Sequence, residues 1–220
     1  MTAVTLERTS LGEEIANAVS HGVGAVLAIA GLATLVALAV ARGDAWHVAS
    51  AAVFGATMVL LYLASTLYHA IPGERAPRAK RVLQVIDHSA IYLLIAGSYT
   101  PFSLGPLRGP WGWSLLAVVW TGALAGVVYK AVAFGRAPIL SVALYAGLGW
   151  SALVALGPLV RALEPGGLAL LLGGGVAYTV GIAFFAWRRR FAHFVWHLFV
   201  LAGSALHWLA VLLYVLPPPA

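Results

Sequence analysis

Two histidines four residues apart are the strongest sign of chemistry in this sequence. His193 and His197 would place both imidazoles on one face of a helix. Neutral imidazole is a common zinc ligand, and a catalytic zinc site uses three protein ligands and leaves one position open. The topology derived below brings His69 to the same depth, which makes it the natural third ligand. We therefore predict a Zn²⁺ site formed by His69, His193 and His197.

Two other residues are predicted to take part in catalysis at such a site. Asp87 opens the third apolar run, where its carboxylate could deprotonate or orient a zinc-activated water, or hold a ligand imidazole. Ser65 lies four residues before His69 and shares its helical face. Its hydroxyl could hydrogen-bond a ligand or stabilise a developing oxyanion.

A second polar group precedes the first apolar run. Glu14, Asn17 and His21 line one helical face, and we predict that they support or gate the metal site. The alternative is a polar helix start that lies on the membrane surface. His207 follows His197 by about 15 Å of helix, at roughly 1.5 Å per residue, and is too deep to bind the same ion. It is either a hydrogen-bonded interior histidine or a proton relay.

Each of these residues, taken alone, has an ordinary structural explanation. A histidine pair at this spacing occurs by chance, and His69 could cap a backbone carbonyl. Asp87 could be favoured by the positive end of a helix dipole. Ser65 could hydrogen-bond the backbone of its own helix. Their convergence at one depth is what favours a metal site.

Composition identifies the class of protein. The 220 residues are 62% hydrophobic and only 9% charged, whereas soluble domains carry roughly 25% charged residues. A water-soluble globule and a disordered chain are both excluded. Cysteine is absent, so thiolate sites and disulfides are excluded too. The net charge of +6 comes from short clusters between apolar runs, which is typical of membrane topology rather than nucleic-acid binding, so we expect no nucleic-acid partner.

Seven apolar runs are long enough to cross a membrane, since a spanning helix needs about 20 residues. The segments lack the alternation of a β-barrel. We predict an all-α integral membrane protein, a seven-transmembrane helix bundle preceded by a cytoplasmic N-terminal segment, 1–19. The transmembrane domain, 20–216, has spans at about 20–41, 47–71, 84–105, 112–131, 138–160, 167–187 and 193–216.

The distribution of lysine and arginine predicts the orientation. A cytoplasmic N-terminus places 10 of the 13 basic residues on the inner side and 3 outside, which satisfies the positive-inside rule. The C-terminus is then outside, and the predicted zinc site lies at the cytoplasmic ends of its helices. The inner residues are Arg8, Arg75, Arg78, Lys80, Arg81, Lys130, Arg136, Arg188, Arg189 and Arg190; the outer ones are Arg42, Arg108 and Arg161.

From about Glu13 to Val215 the chain resembles the hemolysin III group of bacterial membrane proteins, which belongs with the progestin and adiponectin receptors. The resemblance implies a seven-helix bundle with zinc at His69, His193 and His197, Asp87 acting on zinc-bound water, and Ser65 nearby. Related receptors and ceramidases imply hydrolysis of a lipid amide. The matching motifs are Glu14-x-x-Asn17-x-x-x-His21, 63–69, 86–92, 98–102 and His193-x-x-x-His197 followed by His207.

Three functions remain open at this point. The first is a zinc-dependent hydrolase of a lipid amide or ester near the cytoplasmic face of a bacterial inner membrane. The second is a regulator of membrane stress or lipid homeostasis, or a pore-forming cytolysin, in which zinc is structural or sensory. In both, membrane lipids are the expected partners and an oligomer is allowed. A proton-coupled transporter using Asp87, His207 and Glu14 ranks last, because the acidic groups are few and lie mostly on one side.

Overall fold

Seven apolar helices form the bundle, as the sequence predicted. The computed structural model describes residues 10–218, apart from the Pro138 side chain, and no strand occurs within that range. Each helix is long and apolar enough to cross a bilayer. They are α1 (Leu11–Arg42), α2 (Ala45–Ala70), α3 (Pro77–Leu104), α4 (Pro110–Ala133), α5 (Ile139–Ala162), α6 (Pro165–Ala186) and α7 (Ala192–Val215).

Helix α1 begins earlier than the predicted span at 20–41. The Ser10 side chain accepts from the Glu13 backbone N–H, and the Glu13 carboxylate accepts from the Ser10 backbone N–H. This capping box satisfies backbone donors that a helix start leaves unpaired, so the helix begins at Leu11. The second half of the predicted segment 1–19 is therefore helical, while residues 1–9 lie outside the described part.

Helix α5 is interrupted near its middle, which the sequence did not predict. An α-helix over Pro138–Gly149 is followed by a 3₁₀ turn at Ser151–Ala155 and a short α-helix at Leu156–Ala162. The Tyr99 hydroxyl on α3 donates to the Gly149 carbonyl at 2.6 Å and accepts from the Ala152 N–H at 2.9 Å. It thereby satisfies polar backbone groups that a break inside a bilayer would otherwise leave unpaired.

Helix α1 packs against both α2 and α7, and this arrangement brings distant parts of the chain together. At one end of the bundle the Glu13 carboxylate accepts from the Phe191 N–H at 2.9 Å. Phe191 has a left-handed φ of 60° and immediately precedes α7. The start of α7, and His193 with it, is therefore fixed to the start of α1. We call this end of the bundle the histidine end.

The opposite end is closed by an ion pair between two loops. Arg108 Nη1 lies 2.7 Å from Asp44 Oδ2, while Asp44 also caps α2 through the Trp46 and His47 backbone N–H groups. The hydrogen bond from Arg108 lowers the pKa of the Asp44 carboxyl, and the bond from the His47 N–H acts in the same direction. The Trp46 and Trp113 rings meet edge to face at this end, as expected for residues at a membrane interface.

The two hydrogen bonds of the Tyr99 hydroxyl should contribute measurably to the stability of the folded protein. Tyr99→Phe leaves the Gly149 carbonyl and the Ala152 N–H unpaired, so we expect unfolding to become easier by about 1–3 kcal/mol. Thermal unfolding in detergent measures this. Tyr129→Phe is the matched control, because the Tyr129 hydroxyl has no hydrogen-bond partner among the described residues. Equal melting temperatures for the two variants would show that Tyr99 does not stabilise the break.

Candidate metal centre

Three histidines from two helices converge at the histidine end. His69 lies in the last turn of α2, and His193 and His197 lie in the first two turns of α7. Each offers one ligand-capable ring nitrogen, and these three atoms lie within 4.8 Å of one another. The ring centroids are 5.2 Å apart for His69 and His193, 5.1 Å for His69 and His197, and 4.7 Å for His193 and His197. The structure thus brings together the three residues that the sequence proposed as ligands.

A carboxylate on α1 determines which nitrogen of His69 is free. His69 Nδ1 lies 2.8 Å from Glu14 Oε2, and because a carboxylate accepts, Nδ1 carries the proton. Nε2 is then an unprotonated acceptor. It is buried and has no hydrogen-bond partner among residues 10–218. A buried acceptor without a partner is costly, and a metal ion between the three rings would satisfy it.

A hydrogen bond also determines which nitrogen of His197 carries the proton. The Ser20 hydroxyl donates to the Asn17 carbonyl at 2.9 Å and lies 3.2 Å from His197 Nδ1. A hydroxyl has a single proton, so in this arrangement Ser20 accepts from His197 Nδ1. The lone pair of His197 is therefore on Nε2, as in His69. Imidazoles held in this way by hydrogen bonds to their other nitrogen are typical of metal ligands.

Lys80 connects a third helix, α3, to the contact between Glu14 on α1 and His69 on α2. Its Nζ donates to Glu14 Oε1 at 3.2 Å and to the Tyr68 carbonyl at 2.7 Å. Only 6% of the Lys80 surface is exposed, whereas 21% of the Glu14 side chain is, so the ion pair is partly shielded from solvent. Charge from α3 thus holds the Glu14 carboxylate in place beside His69. From the sequence, Lys80 was predicted only as one of the basic residues that determine the orientation. Ser20 was not predicted as a site residue, although it directly precedes His21.

The predicted supporting residues on α1 all lie against this cluster. Glu14 contacts His69, and the Asn17 carbonyl accepts from Ser20. The His21 ring stacks on that of His197, with centroids 3.5 Å apart and planes 8° from parallel. The Asn17 amide and both His21 ring nitrogens are buried without a hydrogen-bond partner among residues 10–218. This part of α1 therefore faces the bundle interior, and the alternative of a surface helix is not what the structure shows.

Asp87 and Ser65 line the same cavity as His193 and His197, although neither belongs to the three-histidine group. Asp87 Oδ2 lies 3.3 Å from His88 Nδ1. Ser65 is 1% exposed, and its hydroxyl has no partner in the described chain. The alternative of a hydrogen bond to its own helix backbone is thus not seen. Both side chains are placed where a molecule in the cavity could meet them.

The cavity continues from the histidines into the bundle. It is partly open, and about 110 Å³ of it is accessible to the centre of a water molecule. A single water needs about 10–15 Å³ of such space, so the cavity can hold a ligand much larger than water. Its lining extends along α7 from His193 to His207, which suits an elongated ligand. Most of its walls are apolar and come from α3, α5, α6 and α7. His207 lies farther along the same cavity and outside the three-histidine group, as its depth predicted.

Comparison with known proteins identifies the family. The family model described as "Haemolysin-III related" matches residues 9–208. The chain belongs to this family. It is 46% identical to "Hemolysin-3 homolog" of Bacillus subtilis (strain 168), over 96% of this chain and 98% of that protein. It is also 48% identical to "Hemolysin-3" of Bacillus cereus, over 93% of each chain.

A more distant relative extends the family to animals. Human "Monocyte to macrophage differentiation factor" is 30% identical over 94% of this chain and 86% of its own length. The family resemblance that the sequence motifs indicated is thus confirmed over nearly the whole chain. With seven apolar helices, the protein is a multi-pass membrane protein.

Loss of the contact between Glu14 and His69 should weaken metal binding. Glu14→Gln replaces a charged acceptor of the His69 proton by a neutral amide, and loss of such a contact typically weakens metal binding 10–100-fold. Competition with a chelator measures zinc affinity directly. Glu164→Gln is the matched control, because Glu164 is exposed before α6 at the opposite end of the bundle and its side chain does not cap that helix. Unchanged zinc affinity in Glu14→Gln would contradict this role.

Proposed function

We propose that this haemolysin-III-related protein is a zinc-dependent hydrolase that cleaves an amide or ester bond of a membrane lipid. The supporting observation is the buried, unpaired Nε2 of His69 among three imidazoles, beside an apolar cavity that Asp87 and Ser65 also line. Three neutral imidazoles are a ligand set that suits catalytic zinc. His69, His193 and His197 would hold the ion.

Zinc in this position would supply Lewis acidity toward a carbonyl oxygen and make a water molecule more acidic. Asp87 would act as the general base: its carboxylate accepts a proton as the water oxygen attacks the carbonyl carbon. The same proton then passes to the leaving nitrogen or oxygen as its bond to carbon breaks, which gives a fatty acid and an amine or alcohol. The Ser65 hydroxyl would donate a hydrogen bond to the carbonyl oxygen as negative charge develops on it.

The cavity suits the apolar part of such a substrate. Leu94, Ile95 and Val200 line it beyond the histidines, so an acyl chain can enter without desolvating a charged side chain. Asp87, His193 and His197 line it at the histidine end, where the bond to be cleaved would lie. A lipid bound in this way has its reactive carbonyl beside Asp87 and Ser65 and its tail inside the bundle.

Metal content and turnover together test the hydrolase. We expect about one zinc per purified chain by elemental analysis, and release of fatty acid from a lipid amide such as ceramide or from a lipid ester. His193→Ala should lose both zinc and turnover. Asp87→Asn should keep zinc and lose turnover about 10²–10⁴-fold. His47→Ala, a histidine at the opposite end of the bundle, should change neither.

Three results would contradict the proposal at different points. Zinc retained at full occupancy in His193→Ala would refute the ligand assignment. Normal turnover in Asp87→Asn would refute its role as base. A zinc-loaded wild-type chain that releases no fatty acid from either lipid class would refute the hydrolase itself.

The name "Hemolysin-3" of the Bacillus cereus relative favours a second candidate, a pore-forming cytolysin. A regulator of membrane stress or lipid homeostasis with structural or sensory zinc is the other form of this alternative. A pore requires a continuous polar path across the bilayer. Here apolar side chains such as Leu94 and Val200 interrupt the cavity wall beyond the histidine end. Solute flux through liposomes at physiological protein density, unaffected by zinc removal, would favour this candidate over hydrolysis.

We further propose that the protein lies in a bacterial cytoplasmic membrane with the histidine end inside, among membrane lipids as its partners and with self-association allowed. The 10-to-3 distribution of basic residues supports this orientation. The site would then act on lipids of the inner leaflet.

The absence of cysteine makes the orientation testable by labelling. Arg161→Cys and Arg189→Cys each place a single thiol on an exposed position at opposite ends of the bundle. In intact spheroplasts, an impermeant maleimide should label the cysteine at 161 and label the one at 189 only after the membrane is permeabilised. The reverse pattern would show that the histidine end faces outward.

A further inference from the structure

Lys130 is a buried cation without an acidic partner. The residue lies in the last turn of α4 and is only 5% exposed. Within residues 10–218 its Nζ forms no ion pair, and it lies instead 5.3 Å from the centroid of the Phe134 ring and 5.6 Å from that of Tyr145. Aromatic faces attract a cation but do not neutralise its charge. Nζ is not among the fully enclosed polar atoms that lack a partner, so a ligand can still reach it.

A second cation approaches the same aromatic ring from another helix. The guanidinium carbon of Arg81, an exposed residue near the start of α3, lies 4.8 Å from the Phe134 centroid. This distance and that of Lys130 Nζ from the same centroid add to about 10 Å, so the two charges can be no farther apart. Like charges at this distance repel each other. An anion that both cations contact would remove the repulsion.

The acidic residues of the histidine end do not supply that anion. Glu13 and Glu14 bind groups on α7 and α2. Asp87 Oδ2 lies 3.3 Å from His88 Nδ1. Glu74, in the loop before α3, forms no ion pair in the part of the chain that the structure describes. The described chain therefore offers the two cations no carboxylate, and a ligand from outside it can supply the negative charge.

The two cations lie at the depth of a lipid headgroup. Arg81 follows the start of α3 by four residues and Lys130 precedes the end of α4 by three, so each is roughly 5 Å inside its helix end. The ends of spanning helices lie in the headgroup region, outside the hydrocarbon core. The same ends of α3, α4 and α5 expose Val82, Val132 and Ile139 by 58%, 72% and 84% of their surface. Acyl chains can therefore lie beside a headgroup bound here.

We propose that Arg81 and Lys130, which share the Phe134 ring, bind the phosphate of an anionic membrane lipid. A guanidinium donates to two phosphate oxygens, and an ammonium adds a point charge. Basic pockets between spanning helices are typical binding sites for anionic headgroups. Free phosphate offers the same oxygens, but it makes no use of the exposed apolar side chains. The inference does not rest on the proposed hydrolysis, because neither cation lines the main cavity.

Lipid binding to the purified full chain in detergent tests the site. The probes are phosphatidylglycerol and phosphatidylcholine with the same acyl chains, and inorganic phosphate alone. Displacement of a fluorescent phosphatidylglycerol measures their affinities. A basic residue at an anionic lipid surface contributes about fivefold in affinity. We therefore expect phosphatidylglycerol to bind roughly 10- to 30-fold more tightly than phosphatidylcholine, and inorganic phosphate to bind far more weakly than either cation pair with a lipid would.

Variants assign the preference to the two cations. Arg81→Gln and Lys130→Gln should each weaken phosphatidylglycerol binding about fivefold and leave phosphatidylcholine binding unchanged. Arg81→Lys keeps the charge and should keep most of the preference. Arg75→Gln is the matched control, because it removes one charge from an exposed loop position at the same end of the bundle. Arg81 is itself exposed, so Arg81→Gln carries the test if Lys130→Gln does not fold.

Three outcomes would overturn the inference. Equal affinity of the wild-type chain for the two lipids would exclude a site for an anionic lipid. Equal losses in Arg75→Gln and Arg81→Gln would show diffuse attraction by the basic end of the bundle. Inorganic phosphate that binds as tightly as phosphatidylglycerol would identify a site for a free anion. Failure of the hydrolase proposal is distinguishable, because it is measured by fatty-acid release and leaves this lipid preference in place.

Discussion

Ring nitrogens without partners, buried in an apolar bundle, are the constraint on which the rest of this structure depends. In a bilayer interior, no water is available to hydrogen-bond an unpaired polar group. His69 meets this problem by using Nδ1 for Glu14, which leaves Nε2 facing the other two histidines. A divalent cation that prefers nitrogen ligands, placed among the three rings, would satisfy this nitrogen. The three histidines are therefore better understood as one candidate metal centre than as independent residues.

Helix α1 makes most of the contacts that position the three histidines. It supplies Glu14 to His69 on α2 and Ser20 to His197 on α7, while Glu13 fixes the start of α7 through the Phe191 N–H. The capping box at Ser10 sets where this helix begins, directly before Glu13 and Glu14. Disturbing the first turns of α1 should therefore affect the histidine cluster more than a comparable change at the Arg108 and Asp44 end.

The sequence predicted those features that depend on local pattern. Seven apolar runs of spanning length determine seven helices, and a spacing of four places His193 and His197 on one face whatever surrounds them. The stacking of His21 on His197 was not predictable, because it depends on how α1 and α7 pack across 176 positions of sequence. The break in α5 was missed for a related reason. Its backbone groups are satisfied by Tyr99, a residue on another helix.

The depth of His207 was predictable from the sequence, whereas its hydrogen bonding was not. Its depth follows from simple helix geometry, and the structure agrees that it lies apart from the other histidines. The sequence offered a fully hydrogen-bonded interior histidine or a proton relay. The structure shows one nitrogen bonded to Leu171 and the other unused, a distinction that only the packing of α6 against α7 could reveal.

The most direct test of the central claim is a crystal of the full chain measured on both sides of the zinc absorption edge. We predict one anomalous peak per chain, bounded by Nε2 of His69, Nε2 of His197 and a ring nitrogen of His193, that vanishes below the edge. A map without density between those rings, or a zinc peak at some other group of residues, would contradict the account.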